Sequence, residues 1–203
     1  NNEGKVLSYS SADLKKWTYD GVYAEGFGEM SECPDCFEID GRRVVISSIM
    51  ACKDKDLVLP QPVVYMIGQE ENGVFCAQTP MRDLDRGLDF YAPQTCLAPD
   101  GRRLMIGWAH AWGCETPMHR LGHGWTGTMT LIRECWIEND KLYQCPIREL
   151  ENRRRNGIAR ENLLVGEKTQ LSECIGACRE MMLDINMREA EKIEIHLMET
   201  GDE

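Results

Sequence analysis

The hydrophobic pattern of the first 150 residues is typical of short β-strands. Four apolar runs, rich in β-branched residues, stand between polar segments: Val44–Ile46, Val63–Ile67, Leu104–Trp108 and Met129–Ile132. Runs of this length and composition predict strands rather than helices. Because no long stretch with helical spacing interrupts the series, the pattern predicts an all-β fold for this part of the chain.

Tight-turn dipeptides separate these runs. Aspartate, asparagine and glycine tolerate the positive φ angles that two-residue hairpin loops require. Their positions predict antiparallel strands joined by hairpins. The four dipeptides are Asp40-Gly41, Asn72-Gly73, Asp100-Gly101 and Asn139-Asp140.

One hairpin pattern occurs twice. Ile39–Ile46 reads I-D-G-R-R-V-V-I, and Pro99–Ile106 reads P-D-G-R-R-L-M-I 60 residues later. A proline-bearing segment precedes each copy, at Pro34 and at Pro93. A hairpin repeated at this spacing favours the blades of a β-propeller. Chance recurrence of a common surface turn is the alternative interpretation.

The pattern changes beyond Arg155. Asn156-Gly157 interrupts the chain, and new alternating apolar runs follow at Leu163–Val165, Met181–Ile185 and Ile193–Leu197. We therefore predict one domain over residues 1–155 and the start of a second β domain over 156–203. Since the chain stops just after the last of these runs, we expect the second domain to be incomplete.

Composition and charge exclude several classes of protein. The chain has 203 residues and a net charge of −11. Of these residues 42% are hydrophobic, which is enough to form a core. An acidic surface repels phosphate backbones, which argues against nucleic-acid binding. No apolar run approaches the ~20 residues of a membrane helix, so no membrane association is predicted. Ten scattered cysteines do not form a disulfide framework, which favours free thiols in the cytoplasm.

Four stretches of the sequence carry distinctive motifs. Glu32–Asp35 reads E-C-P-D, Asp89–Gln94 reads D-F-Y-A-P-Q, and Gly107–Trp112 reads G-W-A-H-A-W. Trp125–Leu150 carries W-T-G, then R-E, and finally L-Y-Q-C-P-I-R-E-L. In this order the four stretches resemble glycoside hydrolase family 32, the family of invertases and fructan hydrolases. Each stretch alone is a weak signal, but the four in family order are specific.

The resemblance implies a five-bladed propeller followed by a β-sandwich, with this chain running from late in blade 3 through blade 5 into the sandwich. It also implies hydrolysis of terminal β-D-fructofuranosyl bonds in sucrose, sucrose 6-phosphate or fructans, without a cofactor. The family's W-M-N-D-P-N-G motif, which supplies the nucleophilic aspartate, and its R-D-P motif are not in this sequence. We therefore expect a fragment that has no nucleophile and is inactive alone. Ile132 also departs from the family's usual proline.

Retaining glycoside hydrolysis needs two carboxyl groups, a nucleophile and a general acid/base. The resemblance assigns the acid/base role to Glu32; without it, Glu32 reads as an ordinary surface glutamate. Pro34 stiffens the backbone beside it, and Cys33 would be a weakly polar neighbour of the acid, close to the substrate. Asp35 either helps to orient the acid or bonds within its own turn.

The remaining candidates are sugar-binding residues. Strand alternation predicts Asp89 and Tyr91 on one face, with Phe90 opposite. The resemblance places Asp89 and Tyr91 near sugar hydroxyls, and a core role for Tyr91 stays open. Trp108 either packs in the core or offers its face to a sugar ring, whereas Trp112, at the strand exit, fits a subsite wall.

Other constellations are weaker. Cys33-x-x-Cys36 resembles half of a structural zinc site, which needs four ligands, and the similar Cys174/Cys178 pair lies in the other predicted domain. No metal site is therefore predicted. The functional alternatives are a non-catalytic sugar-binding propeller and a furanosidase that acts on arabinose. In each case the partner is a small carbohydrate; its identity and the oligomeric state are open.

Overall fold

The computed structural model describes residues 4–50, 57, 59, 61–109, 116–166, 168–171 and 180–196. The chain divides into two compact units, Asn1–Leu150 and Glu151–Glu203. All strands in the described residues belong to the first unit, so the predicted β-rich character of this part is confirmed.

The first unit opens with an isolated antiparallel hairpin. Strand β1 (Lys5–Ser10) pairs with β2 (Thr18–Glu25), and the register shifts twice along the pair. Of its residues only Val6 and Ala24 are buried, because one end of the hairpin alone packs against the next sheet.

A second sheet has the order β3-β4-β5-β6. Its strands are β3 (Met30–Ile39), β4 (Arg42–Met50), β5 (Val63–Glu71) and β6 (Val74–Ala77), and β7 (Arg82–Asp83) also pairs with β5. The two central strands are buried on both faces, which explains their nearly continuous apolar runs. One face packs in the cluster that contains Val44 and Ile46; the other packs in the cluster that contains Val45 and Ile49.

The third sheet repeats this antiparallel arrangement. Strand β9 (Arg103–Ala109) pairs with β8 (Tyr91–Leu97) on one side and with β10 (Thr128–Met129) and β11 (Arg133–Glu138) on the other. Strand β12 (Lys141–Pro146) pairs with β11 at the outer edge. A short α-helix, α1 (Pro117–Arg120), lies between β9 and β10.

The single strand predicted at Met129–Ile132 is wrong in its extent. Strand β10 ends at Met129, opposite Trp108, and pairing resumes only at Arg133, opposite Met105. Three residues, 130–132, thus face two on β9, and this extra residue makes a bulge that interrupts the ladder.

All four predicted hairpin turns are confirmed. At three of them both central residues have positive φ, as a type I′ turn requires. At the fourth only Gly101 does, with φ of 87°. The paired values are 51° and 72° at Asp40-Gly41, 53° and 78° at Asn72-Gly73, and 48° and 57° at Asn139-Asp140.

The sequence repeat corresponds to a repeated backbone shape. The register of β3 against β4 shifts between Glu32 and Asp35, and that of β8 against β9 shifts between Tyr91 and Gln94. Within each bulge the residue before the proline has a φ of 48°, Cys33 in one strand and Ala92 in the other. A left-handed residue followed by proline therefore kinks both strands at the same place.

Beyond β12 the structure contains a 3-10 helix at Arg148–Arg153. The three strands predicted further on are not found in the described residues up to 196. The apolar side chains of these runs that the structure describes are open to solvent, with Leu164 75% and Met182 78% exposed. Leu197, the last residue of the third run, lies outside the described residues. Alternation alone does not make a strand without a pairing partner. Nowhere in the described ranges is a helix long and apolar enough to cross a lipid bilayer.

Candidate active site

The candidate acid Glu32 is bonded to Tyr91 across two sheets. The phenol hydroxyl of Tyr91 donates to Glu32 Oε2 at 2.7 Å. Glu32 is half-buried, whereas Tyr91 is 3% exposed and belongs to the core cluster. The E-C-P-D and D-F-Y-A-P-Q motifs, far apart in sequence, thus come together at one carboxyl group.

The two bulges explain how these side chains meet. Glu32 pairs with Ser48 immediately before one bulge, and Tyr91 pairs with Trp108 immediately before the other. Since Glu32 and Tyr91 hold equivalent places in two copies of one hairpin, each is directed by the same backbone kink. The contact is a structural reason, beside the sequence resemblance, to regard Glu32 as more than a surface glutamate.

Asp35 joins the two strands on the far side of the bulge. Its Oδ2 accepts the backbone N–H of Thr95 at 2.7 Å, and the amide of Gln94 donates to the carbonyl oxygen of Cys33 at 3.1 Å. Asp35 therefore bonds β8 rather than its own turn, and the exposed Cys33 contributes its carbonyl group. Both residues fix the approach of β3 to β8 beside Glu32.

The predicted alternation of Asp89 and Tyr91 on one strand face is wrong. Strand β8 begins only at Tyr91, and the exposed Asp89 lies in the bend before it. Phe90 and Tyr91 are instead both buried, at 4% and 3% exposure. The ring of Phe90 packs against Gly107, where an added Cβ would come within 2.6 Å of it.

Trp108 is half-buried and packs against the core cluster. The indole of Trp108 also packs closely against Gly127, where only glycine fits, because a Cβ added there would lie 2.5 Å from Trp108 Nε1. The core role that the sequence left open thus has contacts to support it. Trp112 lies outside the described residues.

Two buried serines near Glu32 were not predicted from the sequence. Ser47 and Ser48 are each 0% exposed. Ser47 Oγ lies 2.6 Å from Ser31 Oγ and donates to the Glu32 carbonyl oxygen at 3.3 Å, and Ser48 Oγ accepts the backbone N–H of Ala92 at 3.0 Å. The only signal available was two adjacent hydroxyls in an otherwise apolar strand.

The arrangement suits a carboxyl group that exchanges a proton with a ligand. Oε2 of Glu32 accepts from Tyr91, and within the described residues no hydrogen bond occupies Oε1. A held carboxyl group with one oxygen available is what a general acid/base requires. Around it no set of three or more potential metal ligands occurs in the described part of the chain.

Comparison with known proteins points to one family. The protein-family sequence model described as the N-terminal domain of glycosyl hydrolases family 32 matches residues 1–146 of this chain. A sucrose-6-phosphate hydrolase from Salmonella typhimurium is 39% identical over an alignment of 159 residues, and the match covers 72% of this chain and 34% of that protein.

Solved structures agree. A family 32 β-fructofuranosidase from Bombyx mori is similar at a TM-score of 0.71 and 31% identity, covering 78% of this chain and 35% of that one. A mutant of the same enzyme in complex with sucrose is similar at a TM-score of 0.69 and 32% identity, and the same shares of the two chains are covered. The chain thus spans about a third of the length of the relatives it matches.

Proposed function

The chain belongs to glycoside hydrolase family 32, and on that premise we propose that the protein of which it forms part hydrolyses terminal β-D-fructofuranosyl bonds with retention. Glu32 is the general acid/base. It protonates the leaving oxygen and then removes a proton from water, while a carboxylate outside this segment attacks the anomeric carbon. The observation that carries the proposal is the 2.7 Å bond that holds Glu32 Oε2 on the buried Tyr91.

The substrates we propose are sucrose, sucrose 6-phosphate or short fructans. Sucrose 6-phosphate is proposed because the name of the Salmonella typhimurium relative includes it. Sucrose is proposed because the Bombyx mori enzyme has a structure in complex with it. In this proposal Asp89 and Tyr91 lie near sugar hydroxyls, with Trp108 and Trp112 beside the ring. Residues 1–155 belong to a five-bladed propeller and 156–203 to a sandwich, in a cytoplasmic protein. The isolated segment, without a nucleophile, is inactive.

The test uses the complete open reading frame that contains this segment. We expect release of fructose from sucrose or sucrose 6-phosphate, and a fall in kcat by a factor of about 10² to 10⁴ for Glu32→Gln, since a positioned acid/base contributes that much. Glu38→Gln is the matched control: the residue lies on the same strand, exposed, away from Tyr91, and should change kcat by less than about twofold.

Three results would contradict the proposal. Full activity of Glu32→Gln would remove Glu32 from the mechanism. A complete protein that binds sucrose without releasing fructose, and has no W-M-N-D-P-N-G motif upstream, would instead support a non-catalytic sugar-binding protein. Release of arabinose but not fructose would indicate the related furanosidase.

A further inference from the structure

Ser48 is a polar residue in the most apolar strand of the protein. It is 0% exposed, at the end of a buried run that includes Val44, Val45, Ile46 and Ile49. Burial of a hydroxyl group is unfavourable unless the group is hydrogen-bonded. Its partner is the backbone N–H of Ala92, 3.0 Å from Ser48 Oγ, on a strand of the neighbouring sheet.

The same residue is connected to both members of the Glu32–Tyr91 pair. Ser48 is the ladder partner of Glu32, so the two side chains share one face of the sheet. Ala92, which Ser48 bonds, directly follows Tyr91 and has a φ of 48°. For a residue other than glycine this conformation is unfavourable and needs support from its surroundings.

We propose that Ser48 is a positioning residue for the acid/base pair. By holding the Ala92 amide it fixes the backbone at Tyr91, and through it the phenol that bonds Glu32. Without the hydroxyl, the Ala92 N–H loses its acceptor and the kink in β8 loses support, so the phenol and the carboxyl group separate. Displacements of ~1 Å at a reacting group are enough to lower turnover greatly. The effect on turnover rests on the proposed function; the effect on geometry does not.

The competing explanation is that Ser48 only stabilises the core, and the chain offers a matched control for it. Thr79 is also buried, at 8% exposure, and its Oγ1 accepts the backbone N–H of Ile67 at 3.0 Å. It is bonded to Ile67 in the middle of β5, whereas the Glu32–Ser48 pair lies beside the first residue of that strand. Thr79→Val thus removes a comparable bond without touching the pair.

The geometric test uses the 203-residue chain. The ring carbon that bears the Tyr91 hydroxyl is observed by 13C NMR. Its chemical shift should change on Glu32→Gln, because this substitution removes the carboxyl oxygen that accepts the phenol proton. We expect Ser48→Ala to abolish this response to Glu32→Gln, whereas Thr79→Val and Ser48→Thr, which retains a hydroxyl, should keep it.

A full response of the Tyr91 signal to Glu32→Gln in folded Ser48→Ala would overturn the proposal, as would an equal loss of this response in Thr79→Val. If Ser48→Ala does not fold, Ser48→Cys carries the same expectation in weaker form, because it keeps the side-chain shape but offers a poorer acceptor.

The kinetic test uses the complete protein. Loss of one buried hydrogen-bond acceptor should lower kcat about tenfold with KM changed less than about twofold. Thr79→Val should lower thermal stability similarly but leave kcat unchanged. An equal loss of kcat in both variants would indicate a purely structural role. If the wild-type protein releases no fructose, the proposed function fails, while the NMR result still decides whether Ser48 positions the pair.

Discussion

The β3–β4 and β8–β9 hairpins have nearly the same backbone and different side chains at equivalent places. Both are kinked by a left-handed residue before a proline. Where the first presents Glu32 opposite Ser48, the second presents Tyr91 opposite Trp108. The first hairpin thus supplies a titratable group and a buried hydroxyl, and the second supplies a phenol donor and a large apolar ring.

This difference shows how a repeated unit acquires chemistry. The bulge is a local backbone feature that directs whichever side chain precedes it, and two such bulges in neighbouring sheets direct their side chains towards each other. The carboxyl group needs a partner that neither its own strand nor its own sheet provides. Function in this region therefore depends on the pair of hairpins rather than on one motif.

The largest effect on this comparison is expected from Tyr91→Phe. It removes the donor to Glu32 and keeps the buried ring, so kcat should fall about tenfold in the complete protein with little loss of stability. Tyr65→Phe is the control, because Tyr65 is equally buried and its hydroxyl accepts the N–H of Leu142 at 3.3 Å. Unfolding and turnover assays check both. An unchanged kcat in Tyr91→Phe would show that the second hairpin is only a scaffold.

The arginines of the two D-G-R-R turns should differ in their effect on stability. Arg42 bonds the exposed Asp140 at 2.6 Å, whereas its equivalent, Arg102, bonds Asp100, Glu134 and Glu149. We expect Arg102→Ala to lower Tm more than Arg42→Ala, because it breaks a network rather than one exposed pair. Equal changes in Tm at neutral pH would contradict this.

The pH dependence provides a second check on the Arg102 network. Hydrogen bonds from Arg148, followed by those from Arg102, lower the pKa of Glu134 to about 2 from 4.5. A lowered folded-state pKa stabilises the protein above about pH 4.5, and this contribution is lost as pH falls towards 2. The difference in Tm between Arg102→Ala and Arg42→Ala should therefore narrow over that interval.

The local parts of this structure were predictable from sequence, and the contacts between sheets were not. Each hairpin turn depends on two adjacent residues with positive φ, so Asp40-Gly41 could be recognised directly. The Glu32–Tyr91 bond joins residues 59 apart, and the bulges alter the register on which face assignments depend. Alternation therefore placed Asp89 with Tyr91 although the strand starts at Tyr91. Ser48 was not predicted because its role depends on a hydrogen-bond donor, the Ala92 N–H, that lies on another strand.

The smallest expected effect is the difference in stability between glycine substitutions at the two kinks, Cys33→Gly and Ala92→Gly. Glycine relieves a left-handed conformation that costs other residues ~1 kcal/mol, offset in part by the greater freedom it gives the unfolded chain. Cys33 is exposed, whereas Ala92 packs against the core cluster. Ala92→Gly therefore also loses about 0.8 kcal/mol of methyl burial, and urea unfolding should find Cys33→Gly the more stable variant by about this amount. The reverse order would mean that the kink in β3, not that in β8, is fixed by side-chain packing.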